Sequence, residues 1–281
     1  MIAVLDHVTQ FVRDRDETAA RYRALGFNAT PGGLHPRVGS ANHLCYFGLF
    51  YIEMLSIHDM DEAMNGPSAV CRNAVRFIAE GEGFGGIALE TEDLAAAEAG
   101  LRAAGAEPGE VVHMERVQKD GFASVSRILY PVHPGGAVPL PIVIERNIGP
   151  AEREPMLEGR GVIAPHPLGA ISVDSLAVAV ADLDAAAQVL CSAFGYPAGP
   201  AYVDPVFDAD CVRLAAGRGD IVLCCPRGSG PAGTRLERRG AGVFAMICRA
   251  ADPAAVRARL DADADGLVAP GQLHGAMLRI I

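Results

Sequence analysis

Four times along this chain a strand-like apolar segment runs into an Asp, then an Ala-rich stretch, then a Gly. The segments are LDHVTQFVRDRDETAARYRALGF, GGIALETEDLAAAEAGLRAAGA, SLAVAVADLDAAAQVLCSAFGY and GVFAMICRAADPAAVRARLDADADG. Asp14, Asp93, Asp182 and Asp252 are followed by Gly26, Gly105, Gly195 and Gly266, a spacing of 12 to 14 residues each time. A repeat this regular constrains the fold more than any composition can, because each copy must be one supersecondary unit. Each reads as a β-strand, an Asp N-cap, and a short helix closed by Gly. Asp14 with Glu17 has the form of a capping box, and Pro253 after Asp252 occupies the first helical position, where its missing N–H costs nothing.

The helices carry one apolar stripe each: Leu183, Ala186, Ala187, Leu190 and Phe194 in the third copy, and Leu94, Ala97, Leu101 and Ala104 in the second. Short β-like runs follow, NHLCYFG and LFYIEMLS, then ASVSRILYP and LPIVIERN, then CVRLAAG and DIVLCCP, and the fourth copy ends on GAMLRII. Each copy is therefore strand, helix and about three strands, which cannot bury its own sheet, so copies must pair. The stretch 149–169, rich in Pro, Gly and charge, reads as a surface linker. The expected domains are 1–160 and 168–281, and the fold class is α+β, four βαβββ units in two paired halves, each a half-open barrel.

At 281 residues and half apolar, the chain can bury a large core. A net charge of −10 with Lys and Arg scattered singly leaves no basic stripe for nucleic acid or an anionic membrane. No apolar run approaches the ~20 residues of a membrane span, and the first residues lack the charged start of a signal peptide, so a cytoplasmic location is expected. The seven cysteines show no zinc spacing. Adjacent Cys224 and Cys225 should point to opposite faces of one strand, and all seven read as buried reduced thiols without chemistry.

The opening LDHV and the closing YIEML of the first copy, with GGLHPRVGSANHLCYFG between them, resemble the vicinal oxygen chelate superfamily, and more narrowly its glyoxalase-like subfamily. GEGFGGIALETEDL, LPIVIERN and the chain end HGAMLRI extend the likeness. In that superfamily the first and last strands of each paired unit contribute one metal ligand apiece. The resemblance therefore implies His7 and Glu53 from the first copy and Glu145 from the second, holding a divalent ion such as Mn, Fe, Zn or Mg. The fourth position, seven residues before Asp93, is Gly86.

Buried carboxylates need compensation, so Glu53 and Glu145 either hold that ion, or are solvated at the cavity mouth or paired with Arg127 or Arg146 with no metal bound. His35 and Asn42 lie in GGLHPRVGSAN, a loop by composition, with His35 a candidate proton shuttle or substrate clamp and Asn42 a binding group. Arg127 offers a fork for a substrate carboxylate. His43 alternates against Asn42 and should face away, and the remaining histidines fall in turn-like stretches. The third and fourth copies carry Ser175 and Ala245 where the first has His7, which makes that half scaffold or lid.

The function so implied is a metal-dependent, glyoxalase-like enzyme acting on a small carbonyl or hydroxy-carbonyl compound by isomerase, lyase, epimerase or dioxygenase chemistry. In it Glu53, Glu145 or His35 moves the proton. The alternative is a metal-free small-molecule binding or resistance protein. The expected partner is a small-molecule substrate, with no nucleic acid, no membrane, and a possible homodimer.

Overall fold

The computed structural model describes residues 2–117 and 123–281. The first repeat is β1 (Val4–Phe11), α1 (Arg15–Ala24), β2 (Ala29–His35), β3 (Ser40–Phe47) and β4 (Phe50–Ile57), followed by two inserted helices, α2 (Met60–Asn65) and α3 (Ala69–Glu80). The second is β5 (Gly83–Thr91), α4 (Leu94–Ala103), β6 (Val112–Val117), β7 (Ala123–Leu129) and β8 (Ile142–Arg146), and α5 (Pro150–Gly159) comes after it. The third is β9 (Ile171–Ala179), α6 (Leu183–Phe194), β10 (Tyr202–Asp204), β11 (Ala209–Ala215) and β12 (Asp220–Pro226), with α7 (Pro231–Arg239) behind. The fourth is β13 (Gly242–Ala250), α8 (Pro253–Arg259), β14 (Leu267–Val268) and β15 (Met277–Ile280), one strand short, with a 3₁₀ turn at Pro270–Leu273.

The strands of repeats one and two form an eight-stranded mixed sheet and those of repeats three and four a seven-stranded one, each curled as a half-barrel. The α+β fold of paired βαβββ repeats is the observed one. Its local causes are largely those the repeat encodes, except that α8 ends at Arg259, capped by Leu260, well before Gly266. The carboxylates of Asp14, Asp93, Asp182 and Asp252 each accept a first-turn backbone N–H, at 2.8 to 3.0 Å. Gly195 closes α6 in the left-handed conformation, φ 69°, that a side chain would strain.

By packing, the chain divides otherwise than at residues 160 and 168. One compact unit joins His7–Gly86, Pro150–Asp174 and Ala245–Ile281, thus the first and fourth repeats; the other joins Met1–Asp6, Ile87–Gly149 and Ser175–Phe244. The stretch 149–169 is no bare linker, since it contains α5 and buries Arg153 and His166. His166 packs against Phe27 and Phe47, its Nδ1 accepting the backbone N–H of Asn28 at 2.9 Å.

In the unit of the first and fourth repeats the strand order is β2-β3-β4-β1, with β1 parallel to β4 and Thr9 opposite Glu53. Strand alternation sets His7, Thr9 and Phe11 on one face and Val8 and Gln10 on the other. Helix α1 covers the second face, where the buried Tyr22 hydroxyl donates to Gln10 Oε1 at 2.8 Å. Helix α3 covers part of the first: Phe77 meets Phe11 edge-on at 5.4 Å, and Ala74 packs with Phe11 and Leu55. The segment GGLHPRVGSAN is a hairpin rather than a loop, His35 ending β2 and pairing across to Ser40 at the start of β3. Gly32 and Gly33 fall at a register shift between Pro31 and Leu34.

Candidate functional site

Three adjacent strands bring His7 and Thr9 (β1), Glu53 (β4), and Ser40 and Asn42 (β3) together on the face that α3 partly covers. Glu53 is the centre. Its Oε1 accepts the Asn42 side-chain N–H at 2.7 Å, and its Oε2 accepts the Thr9 hydroxyl at 3.2 Å and lies 3.4 Å from His7 Nε2. His7 is itself held by stacking on Tyr51 at 4.6 Å, with Tyr46 beyond at 4.8 Å from Tyr51. His35 Nδ1 lies 2.8 Å from Ser40 Oγ, which also accepts the Cys71 thiol of α3 at 3.4 Å. His7, Thr9, His35, Ser40, Asn42 and Cys71 are all buried.

Burial acts to push the Glu53 carboxyl up. It is outweighed by the His7 hydrogen bond and charge, the charge of His35 and the Asn42 hydrogen bond, which together hold the group down at about 2. Glu53 is therefore a carboxylate at every physiological pH and too weak a base to take a proton from carbon or hydroxyl. Burial pushes the Cys71 thiol up, which makes it a donor rather than a nucleophile.

Glu145 is placed elsewhere. It belongs to the unit of the second and third repeats, where Arg127 Nε donates to its Oε2 at 2.5 Å and the Leu94 N–H at the start of α4 donates to its Oε1 at 3.1 Å. The strand register gives the reason. Aligning Asp14 with Asp93 matches His7 to Gly86 and Thr9 to Ala88; Thr9 stands opposite Glu53, whereas Ala88 stands opposite Ile142. The second repeat's counterpart of Glu53 is thus Ile142, and Glu145, three residues on, points to the other face. Arg127 is correspondingly tied to Glu145 across the β7–β8 pair. Arg146 forks onto Asp6 at 2.7 and 2.9 Å and reaches Glu90 at 3.0 Å.

Two of these donors are spaced as ligands of a divalent ion would be. The 3.4 Å between His7 Nε2 and Glu53 Oε2 equals the edge of a tetrahedron around an ion with bonds of about 2.1 Å. Gly86 supplies no third donor, although a Cβ there would meet only Thr9 at 4.0 Å. Among the described residues no three His, Cys, Asp or Glu side chains are grouped to hold a metal. Two protein donors are fewer than resident ions take, and the residues do not fit one.

Thr9 and Ser40 belong to the site although no motif points to them. Strand parity is the signal that finds them, Thr9 two residues after His7 and Ser40 two before Asn42. Helix α3 is likewise absent from the repeat pattern, although Ser68 before it and Gly81 after it are legible caps. Stretches 61–68 and 80–86, turn-like by composition, hold most of α2 and the start of β5. His43 faces away from Asn42 as expected, its Nε2 2.7 Å from Asp16.

A family model for the glyoxalase-like domain matches residues 5–194. The chain belongs to that family. This glyoxalase-like chain is thereby a member of the vicinal oxygen chelate superfamily. Among solved structures, a hypothetical protein from Staphylococcus aureus is similar at TM-score 0.73 and 16% identity, over 100% of this chain and 99% of its own. A mutant 4-hydroxymandelate synthase from Streptomyces coelicolor is similar at TM-score 0.60 and 16% identity, over 92% and 76%. A xylose isomerase-like TIM barrel/4-hydroxyphenylpyruvate dioxygenase fusion protein matches at TM-score 0.51 and 18% identity, over 92% and 38%. At these identities the likeness shows the fold. No curated protein matches. Among the described residues no helix is long and apolar enough to cross a membrane.

Proposed function

We propose that this glyoxalase-like chain binds a small organic molecule on the β1–β4–β3 face of its first repeat without a resident divalent ion. The observation that carries the reading is the Glu53 carboxylate, whose oxygens are met by His7 and by the hydrogen-bond donors Thr9 and Asn42 from the protein itself. Oε1 accepts the Asn42 amide and keeps acceptor capacity for a ligand hydroxyl or ammonium. Tyr46 and Tyr51, partly exposed beside it, suit an aromatic or unsaturated part of the ligand. If chemistry follows binding, His35, anchored by Ser40, is the group that moves a proton, because Glu53 is too weak a base.

A metal-assisted reaction on a carbonyl or hydroxy-carbonyl compound is the second reading, favoured by the ligand-like spacing of His7 and Glu53. Metal content after dialysis, together with melting temperature in Mn²⁺, Zn²⁺, Fe²⁺ or Mg²⁺ and in a panel of aromatic alcohols and amines, separates the two. The first reading expects no retained ion, and stabilisation by compounds from the panel that Asn42→Ala weakens. A stoichiometric ion that survives dialysis and is lost in Glu53→Gln would overturn it.

A further inference from the structure

Away from that site, in the unit of the second and third repeats, β11 and β12 place Cys211 directly opposite Cys224 in an antiparallel pair. Their sulfurs are 3.5 Å apart and both residues are buried. All seven cysteines are free thiols here. We propose that Cys211 and Cys224 are a redox-responsive pair that closes to a disulfide when a hydroperoxide reaches it.

The backbone is already suited to the bond. Directly opposed residues of antiparallel strands have Cα atoms about 4.5 to 5.5 Å apart, inside the range of about 4.4 to 6.8 Å that disulfides span. Only rotation of the two side chains is then needed to close the gap between the sulfurs. The two thiols are also inequivalent. The contact between the two sulfurs draws the Cys211 thiol below its ordinary range, despite burial, while the same contact, then burial, raise Cys224. Cys211 lies on β11, one strand in from the edge strand β10, and Cys224 on β12, one strand further in, so Cys211 meets an incoming hydroperoxide first and Cys224 resolves it. Access lies through β10, a three-residue strand at the sheet edge whose Tyr202 pairs with Cys211 and whose Tyr202 and Val203 are exposed. Cys225, one residue on, points to the other face, its thiol on the Ala181 carbonyl, and takes no part.

The chemistry balances. The Cys211 thiolate attacks the hydroperoxide, the O–O bond breaks, and Cys211 becomes a sulfenic acid as hydroxide or an alkoxide departs with a proton. Cys224 then gives up its proton and attacks that sulfur, and the S–O bond breaks with loss of water. Two thiols are oxidised and one hydroperoxide is reduced.

The test is hydrogen peroxide on the full chain, followed by alkylation in denaturant, mass spectrometry and peptide mapping. The expected result is early loss of two of seven thiols, a protein lighter by two hydrogens, and a cross-link that persists in Cys225→Ala and in Cys191→Ala. Cys224→Ala should lose the cross-link and instead accumulate sulfenic acid on Cys211, read by a dimedone adduct. If Cys211 and Cys224 are both still alkylated in wild-type protein after other cysteines have been oxidised, the proposal is overturned. The wild-type readout does not depend on how any variant folds.

Discussion

Replacing Glu53 by Gln tests whether protein donors hold the carboxylate charged. Its folded value of about 2 lies below the ordinary 4.5, so the charged form contributes stability that is fully present above pH ~4.5 and is lost as pH falls through about 2. At ~1.4 kcal/mol per tenfold change in proton affinity, the fall from 4.5 to about 2 corresponds to about 3 to 4 kcal/mol in total, of which about 2 kcal/mol is lost by pH 3. The amide keeps the volume and loses the charge. Asn42 offers an N–H to one oxygen position, and Thr9 and His7 must reverse their hydrogen-bond roles to suit an NH₂ at the other. A cost of about 1 to 3 kcal/mol at pH 7 follows. The assay is urea unfolding of wild type and Glu53→Gln from pH 7 to 3 by circular dichroism and tyrosine fluorescence, since the chain has no Trp. Wild-type stability minus that of Glu53→Gln should fall by about 2 kcal/mol from pH 7 to pH 3, reversing sign where the cost at pH 7 is at the low end. A gap that stays constant with pH would refute the donor network, because an unperturbed carboxylate cancels from the difference.

His166 gives a second pH handle of the same sign, in a higher pH window. Burial lowers its pKa, against a weaker contribution from the Tyr46 backbone, so the neutral imidazole contributes stability present above pH ~6.5 and lost as pH falls below it. His166→Gln should flatten the melting temperature between pH 7 and 5, and equal pH dependence in the two proteins would count against the assignment. Gly275→Ala should be severely destabilising, by several kcal/mol, because φ is 81° and the new Cβ would stand 2.0 Å from the Glu82 carbonyl oxygen. Thermal unfolding checks this, and a shift of only a degree or two would show that the chain end docks otherwise.

The repeat is legible because its signals are local. An Asp that caps the next turn, a Gly that permits a left-handed residue and an apolar stripe at helical spacing act over a few residues, and Asp14, Asp93, Asp182 and Asp252 all cap helices as the pattern predicts. His7 and Glu53 are legible as polar residues on apolar strands, and Asn42 as a binding group, although its loop is a hairpin. Which of the polar residues meet is not, because strand register depends on pairing between distant segments. YIEML and VIERN look alike as strings, yet the register shifts Glu145 by three residues against Glu53, reverses its face and gives it to Arg127. Nor does any local signal bring Cys71 of an inserted helix to Ser40, or Cys211 to Cys224. Short-range chemistry along the chain thus settles the repeat and names the charged groups that need compensation. What compensates them is settled in three dimensions, because it depends on which strands lie side by side and in what register.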